Sequence, residues 1–135
     1  MANAPDFVDH LLELMRAGGR AVEARRMFGG HGLYADGLFF GIVADDVVFL
    51  RADDGNRAEF DAIDAQVFEY RKKDGVGRAP GYRRPPDDAI ESADAMRPWL
   101  RSALGAALRA AVKPAPRRNE GRGKPAKAGA AKRRA

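Results

Sequence analysis

The 135-residue chain contains no cysteine. Disulfides and thiolate metal sites are excluded, and nothing in the composition asks for an oxidising compartment. Histidine is scarce: His10 and His31 are the two, and neither has the partner spacing of a zinc site. The serines are Ser92 and Ser102, both in the C-terminal helical region with no histidine nearby, which argues against a nucleophilic triad. No apolar run approaches the ~20 residues of a membrane span. The N-terminal stretch lacks the basic start and apolar centre of a signal peptide. The expectation is a cytoplasmic protein with no membrane attachment.

What the chain does contain is divided unevenly. The formal net charge of +5 conceals an acidic body and a basic end. Residues 1–112 hold 15 Lys+Arg against 18 Asp+Glu, a balance of −3; residues 113–135 hold 9 against 1, a balance of +8. Such asymmetry points to an end that visits a polyanion. That segment, KPAPRRNEGRGKPAKAGAAKRRA, has no aromatic residue and no aliphatic one beyond alanine. It cannot bury enough apolar surface to offset its ordering entropy, so 113–135 is expected to be a disordered tail and 1–112 the folded domain.

The folded part is organised around residues 27–53. The turn signals Asp36-Gly37 and Asp45-Asp46 separate GHGLYA, LFFGIVA and VVFLRA. Connections this short join antiparallel neighbours, so the three runs predict an antiparallel meander. Phe39, Phe40, Ile42, Val43, Val48, Phe49 and Leu50 supply most of its apolar surface. Upstream, Phe7, Val8, Leu11, Leu12, Leu14 and Met15 fall at helical spacing and predict an amphipathic helix over 6–17. Asn3 or Ala4 would cap it, and Gly18-Gly19 ends it. Residues 21–28 lead into the meander as the start of its first strand.

Downstream, Asp53 or Asp54 caps a short helix over 55–64 that buries Ala58, Phe60, Ala62 and Ile63. Segments 67–73 and 80–84 form a second hairpin. A helix over about 94–112, starting close before Pro98, presents Met96, Leu100, Ala103, Leu104, Ala107, Leu108 and Ala111 on one face. The result is an α+β domain with an antiparallel sheet of about five strands, in the order helix, three-strand meander, helix, hairpin, helix.

Little catalytic chemistry emerges. Gly30-x-Gly32-x-x-Ala35 matches the loose dinucleotide pattern, but a strand and a turn follow it where a helix N-terminus is needed. Closely spaced glycines instead suit a strand bulge or kink. The acidic pairs Asp45-Asp46, Asp53-Asp54 and Asp87-Asp88 sit at turns and helix starts, where Asp caps backbone amides. Arg71-Lys72-Lys73 and Arg83-Arg84 lie on adjacent strands of the second hairpin, as a small basic patch or a solvated edge. No catalytic residue, metal ligand or cofactor site is expected. The tail supplies the candidate nucleic-acid contacts: Lys113, Arg117, Arg118, Arg122, Lys124, Lys127, Lys132, Arg133 and Arg134.

Met27-Phe28-Gly29-Gly30, followed by Gly32-Leu33-Tyr34, the Asp36-Gly37 turn, Phe40 and Leu50-Arg51-Ala52-Asp53, resembles the N-terminal domain of the TfoX/Sxy family of competence regulators. Tyr70 with Lys72-Lys73, then Gly81-Tyr82 and Pro85, continue the resemblance, which covers about residues 5–112. Met27, Phe28, Gly29, Gly30, Gly32, Tyr82 and Pro85 are its structural motif residues. The resemblance implies a non-enzymatic domain in transcriptional control that acts through protein partners, the cyclic-AMP receptor protein being the family's associated activator. The family's full-length regulators carry a second, C-terminal domain, and the basic tail is expected in its place here. A second functional expectation rests on the tail alone: a small nucleoid-type protein that binds DNA weakly and without sequence choice.

Overall fold

The computed structural model describes residues 4–17, 19–27 and 29–112. Helix α1 (Pro5–Arg16) opens the chain, with Pro5 in its first turn, where a missing N–H costs nothing. Val8, Leu11 and Met15 form its buried stripe. Four strands follow: β1 (Val22–Met27), β2 (Gly30–Ala35), β3 (Leu38–Ala44) and β4 (Val47–Arg51). A short helix α2 (Arg57–Asp61) precedes the hairpin of β5 (Val67–Lys72) and β6 (Gly75–Arg83). The one-turn α3 (Asp88–Glu91) and the long α4 (Ala93–Val112) complete the domain.

All pairings are antiparallel, and the six strands lie in the order β1-β2-β3-β4-β6-β5. The sheet thus has one strand more than expected. Residues 22–27 do not begin the first strand of the meander but form a strand of their own, with Met27 opposite Gly30. Gly29 sits there at φ 79°, which glycine adopts without a Cβ penalty. The Asp36-Gly37 and Asp45-Asp46 turns carry positive φ at both positions, the geometry that matches strand twist in a hairpin.

The second hairpin is longer than read from sequence, because β6 begins at Gly75. Its pairing with β5 shifts between Val67, opposite Arg83, and Phe68, opposite Ala79. Pro80 falls in this irregularity, where its missing N–H interrupts no ladder.

The helices cover one face of the sheet. Leu11 and Met15 of α1, Phe60 of α2, and Met96, Leu100 and Leu104 of α4 join Leu33, Phe40, Val43, Val48 and Leu50 in one core. Ser92 starts α4 by accepting the Ala95 N–H on its hydroxyl at 3.0 Å. Pro98 lies within α4, five residues after its first, and faces solvent. Buried Asn56 ties the β4–α2 loop to α4: its Nδ2 donates to the Arg51 carbonyl and to Ser102, and its Oδ1 accepts the Asp53 N–H at 2.7 Å. All its principal polar capacity is used, so its burial is not penalised.

Several side chains expected in the core lie outside it. Of the α2 region only Phe60 is buried; Ala58, Ala62 and Ile63 face water, because this helix is a single docked turn. Leu108 is 53% exposed and Ala111 is exposed, since α4 runs past the end of the sheet. No helix among the described residues is long and apolar enough to cross a membrane.

Candidate functional site

A strand points alternate side chains to opposite faces. With the helices on one face, the other carries a distinct set: Arg25 and Met27 from β1, Gly32 and Tyr34 from β2, Phe39 and Ile42 from β3, Phe49 and Arg51 from β4, Tyr82 from β6, and Phe68 and Tyr70 from β5. None of the aromatic members belongs to the helix-covered core. A bulge sets the division. Leu33 pairs with Gly41 and Tyr34 with Phe39, leaving Phe40 as the extra residue. Without it, Ile42 rather than Val43 would turn towards the helices.

The rings on this face form two contiguous groups. Phe39 lies between Tyr34 and Tyr82, with centroids 5.2 and 5.7 Å away. Phe68 lies between Phe49 and Tyr70, at 5.0 and 6.0 Å. All four pairs are tilted, the favourable arrangement of ring quadrupoles. Arg25 places its guanidinium 4.5 Å from the Tyr34 centroid. Arg51 donates to the Phe39 carbonyl at 3.0 Å. Burial pushes the Tyr82 phenol above its ordinary value of 10.0; Arg51 opposes the shift and Tyr34 adds to it. Two phenols and one guanidinium therefore form a polar spot within an apolar field.

The motif glycines make this face possible. A Cβ on Gly32 would stand 2.5 Å from Met27 Sδ and 2.9 Å from Phe39 Cε1. Gly32 is thus the floor over which Met27, Phe39 and Tyr34 close. A Cβ on Gly30 would collide with the Val43 carbonyl oxygen. Gly30, unlike Gly29, has no positive φ, so close approach is what it provides. Gly30, Gly32 and Ala35 all belong to β2, with Gly32 and Ala35 paired on both sides and Gly30 paired with β1, so their spacing frames no phosphate.

The other motif residues divide. Met27, Gly32 and Tyr82 gather on the helix-free face. Pro85 is buried beyond β6 and lines a shallow groove with Phe7, Val48 and Ile90. Phe28 lies outside the described residues, as do Lys113, Arg117, Arg118, Arg122, Lys124, Lys127, Lys132, Arg133 and Arg134. Of the two readings of Arg71-Lys72-Lys73 and Arg83-Arg84, a shared basic patch or a solvated edge, the shared patch does not assemble. Arg83 is buried, donating to the Ala65 carbonyl and pairing with Asp61 at 2.9 Å. Arg84 pairs with Asp87 at 3.3 Å.

The acidic pairs make structural contacts, some of them between distant elements. Asp53 accepts the Gly55 N–H and holds Arg109 of α4 through two hydrogen bonds of 2.7 Å. That guanidinium keeps the Asp53 carboxyl below its ordinary 3.8. His10 lies 2.6 Å from the Ile90 carbonyl through Nε2.

Sequence reading counts Phe39 and Ile42 in the meander's apolar surface but misses the helix-free face as a unit, and with it the roles of Arg25 and Phe68. The available signal was the LFFGIVA run. A strand apolar on both faces needs cover on both.

Comparison with known families finds that the model of the TfoX N-terminal domain matches residues 13–107. A search of curated proteins finds no match.

Proposed function

The chain belongs to the TfoX N-terminal domain family, and we propose that it is a non-enzymatic regulatory module whose helix-free sheet face docks a protein partner in transcriptional control. The observation that carries this reading is the face itself: Tyr34, Phe39 and Tyr82 in one contiguous group and Phe49, Phe68 and Tyr70 in a second, with Met27, Arg25 and Arg51 on the same face. Tyr, Phe, Met and Arg are the residue types enriched at protein interfaces, where aromatic and Arg anchors carry most of the binding energy. The module works in the cytoplasm and needs no cofactor. The test is capture from nuclease-treated lysate with the full chain and with a Tyr34→Ala/Phe39→Ala variant, beside a transcription reporter. The reading expects a partner that survives nuclease, is lost by the variant, and is needed for the reporter response. Capture untouched by the variant would contradict it.

A second reading is favoured by the charge split. The tail's balance of +8 suits non-specific binding to duplex DNA, with the domain serving self-association. If most of its nine basic residues engage phosphates, log K should fall against log salt with a slope of about −5 to −8. Truncation after Val112 should remove that binding. Equal binding by both proteins would place the site on the folded domain instead.

A further inference from the structure

The β5–β6 hairpin outruns the sheet. β4 meets β6 only at Leu50–Arg83 and Arg51–Tyr82, with Ala52 adding a bond to Gly81. Before Gly81, β6 pairs with β5 alone. The five residues Gly75–Ala79 therefore extend roughly 16 Å as a two-stranded ribbon. Residues 69–76 are all exposed, with Val76 at 60% and Tyr70 at 40%. The ribbon is nevertheless well formed. Tyr70 lies against Gly77, where a Cβ would collide with its ring, and Phe68 supports Tyr70 from the next position on the same face.

Its tip carries Arg71, Lys72 and Lys73. Most cations of the body are engaged: Arg25, Arg57, Arg78, Arg83, Arg84, Arg97 and Arg109 in ion pairs, and Arg16 and Arg51 on backbone carbonyls. Arg71, Lys72 and Lys73 have neither an ion pair nor a side-chain hydrogen bond among the described residues, and they are consecutive. Glu69 is taken by Arg78 at 3.6 Å, leaving Asp74 as the ribbon's other acid. Of the six body cations without such a partner, Arg20, Arg26 and Arg101 lie elsewhere, and the three that are consecutive sit on a projecting ribbon beside an exposed tyrosine.

We propose that this ribbon is a nucleic-acid contact, with Arg71, Lys72 and Lys73 on the sugar–phosphate backbone and Tyr70 against an accessible base or sugar. A two-stranded ribbon fits the major groove of a duplex, and a flat exposed ring serves a single strand. The contact is separate from the tail; it shares Tyr70 with the helix-free face but rests on the ribbon's cations and not on the protein-partner reading. Charge on an edge strand also guards against edge-to-edge pairing. That role is indifferent to sign, whereas phosphate binding is not.

The test uses the full chain and two variants, Arg71→Glu/Lys72→Glu/Lys73→Glu and the corresponding triple glutamine change. Each is titrated by fluorescence anisotropy with a mixed-sequence DNA duplex, the same sequence as a single strand, and polyglutamate, across salt concentrations. Amide NMR of the parent with each probe gives the map. The proposal expects shifts at residues 70–76 with DNA and a salt slope about 2 to 3 shallower in both variants. Melting should be unchanged. The probe that binds more tightly identifies duplex or single strand as the source of phosphate. Shifts confined to 113–135, or equal slopes in all three proteins, would overturn the proposal. Polyglutamate shifting the same amides as strongly as DNA would reassign the ribbon to an acidic protein.

Discussion

The two faces of the sheet use the same strands for opposite ends. On the helix-covered face, Leu33, Phe40, Val43, Val48 and Leu50 meet aliphatic and alanine side chains of α1 and α4 and are almost wholly buried. On the other, aromatic rings lie side by side with two arginines, supporting one another but covered by no helix of the described residues. Phe49 makes the contrast plain. It is as buried as many core residues, yet Phe68 and its neighbours on the free face do the burying. Burial by lateral contact within one face differs from burial between layers. The first leaves an apolar surface that a partner can cover, and the second does not.

The largest expected effect is on the closed face. Phe40→Ala should cost about 3–5 kcal/mol in chemical denaturation, because a ring enclosed between sheet and helices leaves a cavity. Tyr70→Ala on the free face should stay within about 1 kcal/mol. Similar losses at both sites would erase the distinction. Along α4, Leu104→Ala should cost about 2–3 kcal/mol, whereas Leu108→Ala, at a site 53% exposed, should stay within about 0.5 kcal/mol. Equal thermal shifts would mean that α4 is covered along its whole length.

Gly30→Val probes the seam between the faces. Overpacking against the Val43 carbonyl should cost about 1–3 kcal/mol by urea titration, without any positive φ being involved. The smallest effect belongs to the Asp53–Arg109 clasp. The folded carboxyl titrates below its ordinary 3.8, so the unfolded chain binds more protons in that window and stability rises with pH through it. The contribution is complete above about pH 4–5 and is lost as pH falls through the folded value. Arg109→Met should melt slightly below the parent at pH 7, with the gap closing in acid. A gap constant from pH 7 to pH 2 would show that the guanidinium acts through packing alone.

Much of this was legible in the sequence because local signals agreed. The helical spacing of Val8, Leu11 and Met15, the Asp36-Gly37 turn and the short apolar runs of the meander all pointed one way. The separate first strand was not legible. VEARRM is half charged, and its pairing with β2 comes from position at an exposed edge. GVGRAP read as turn because glycine and proline dominate it, yet a ribbon paired on one side tolerates both. The side-chain division in β3 was hidden by the bulge at Phe40, a non-local feature that reverses the alternation after it. The clustering of Arg25 with Tyr34, and of Arg51 with Phe39, depends on strand order, which periodicity does not encode.

The central claim is that the helix-free face stands open in the free chain and closes on a partner. Hydroxyl-radical footprinting of the full chain, read by mass spectrometry with and without nuclease-treated lysate fractions, tests it most directly. Tyr34, Phe39, Phe68, Tyr70 and Tyr82 should be modified in the free protein while Phe40 and Phe60 are spared, and a partner-containing fraction should protect the first group together. Protection of that group in the free chain, or modification unchanged in every fraction, would contradict the account.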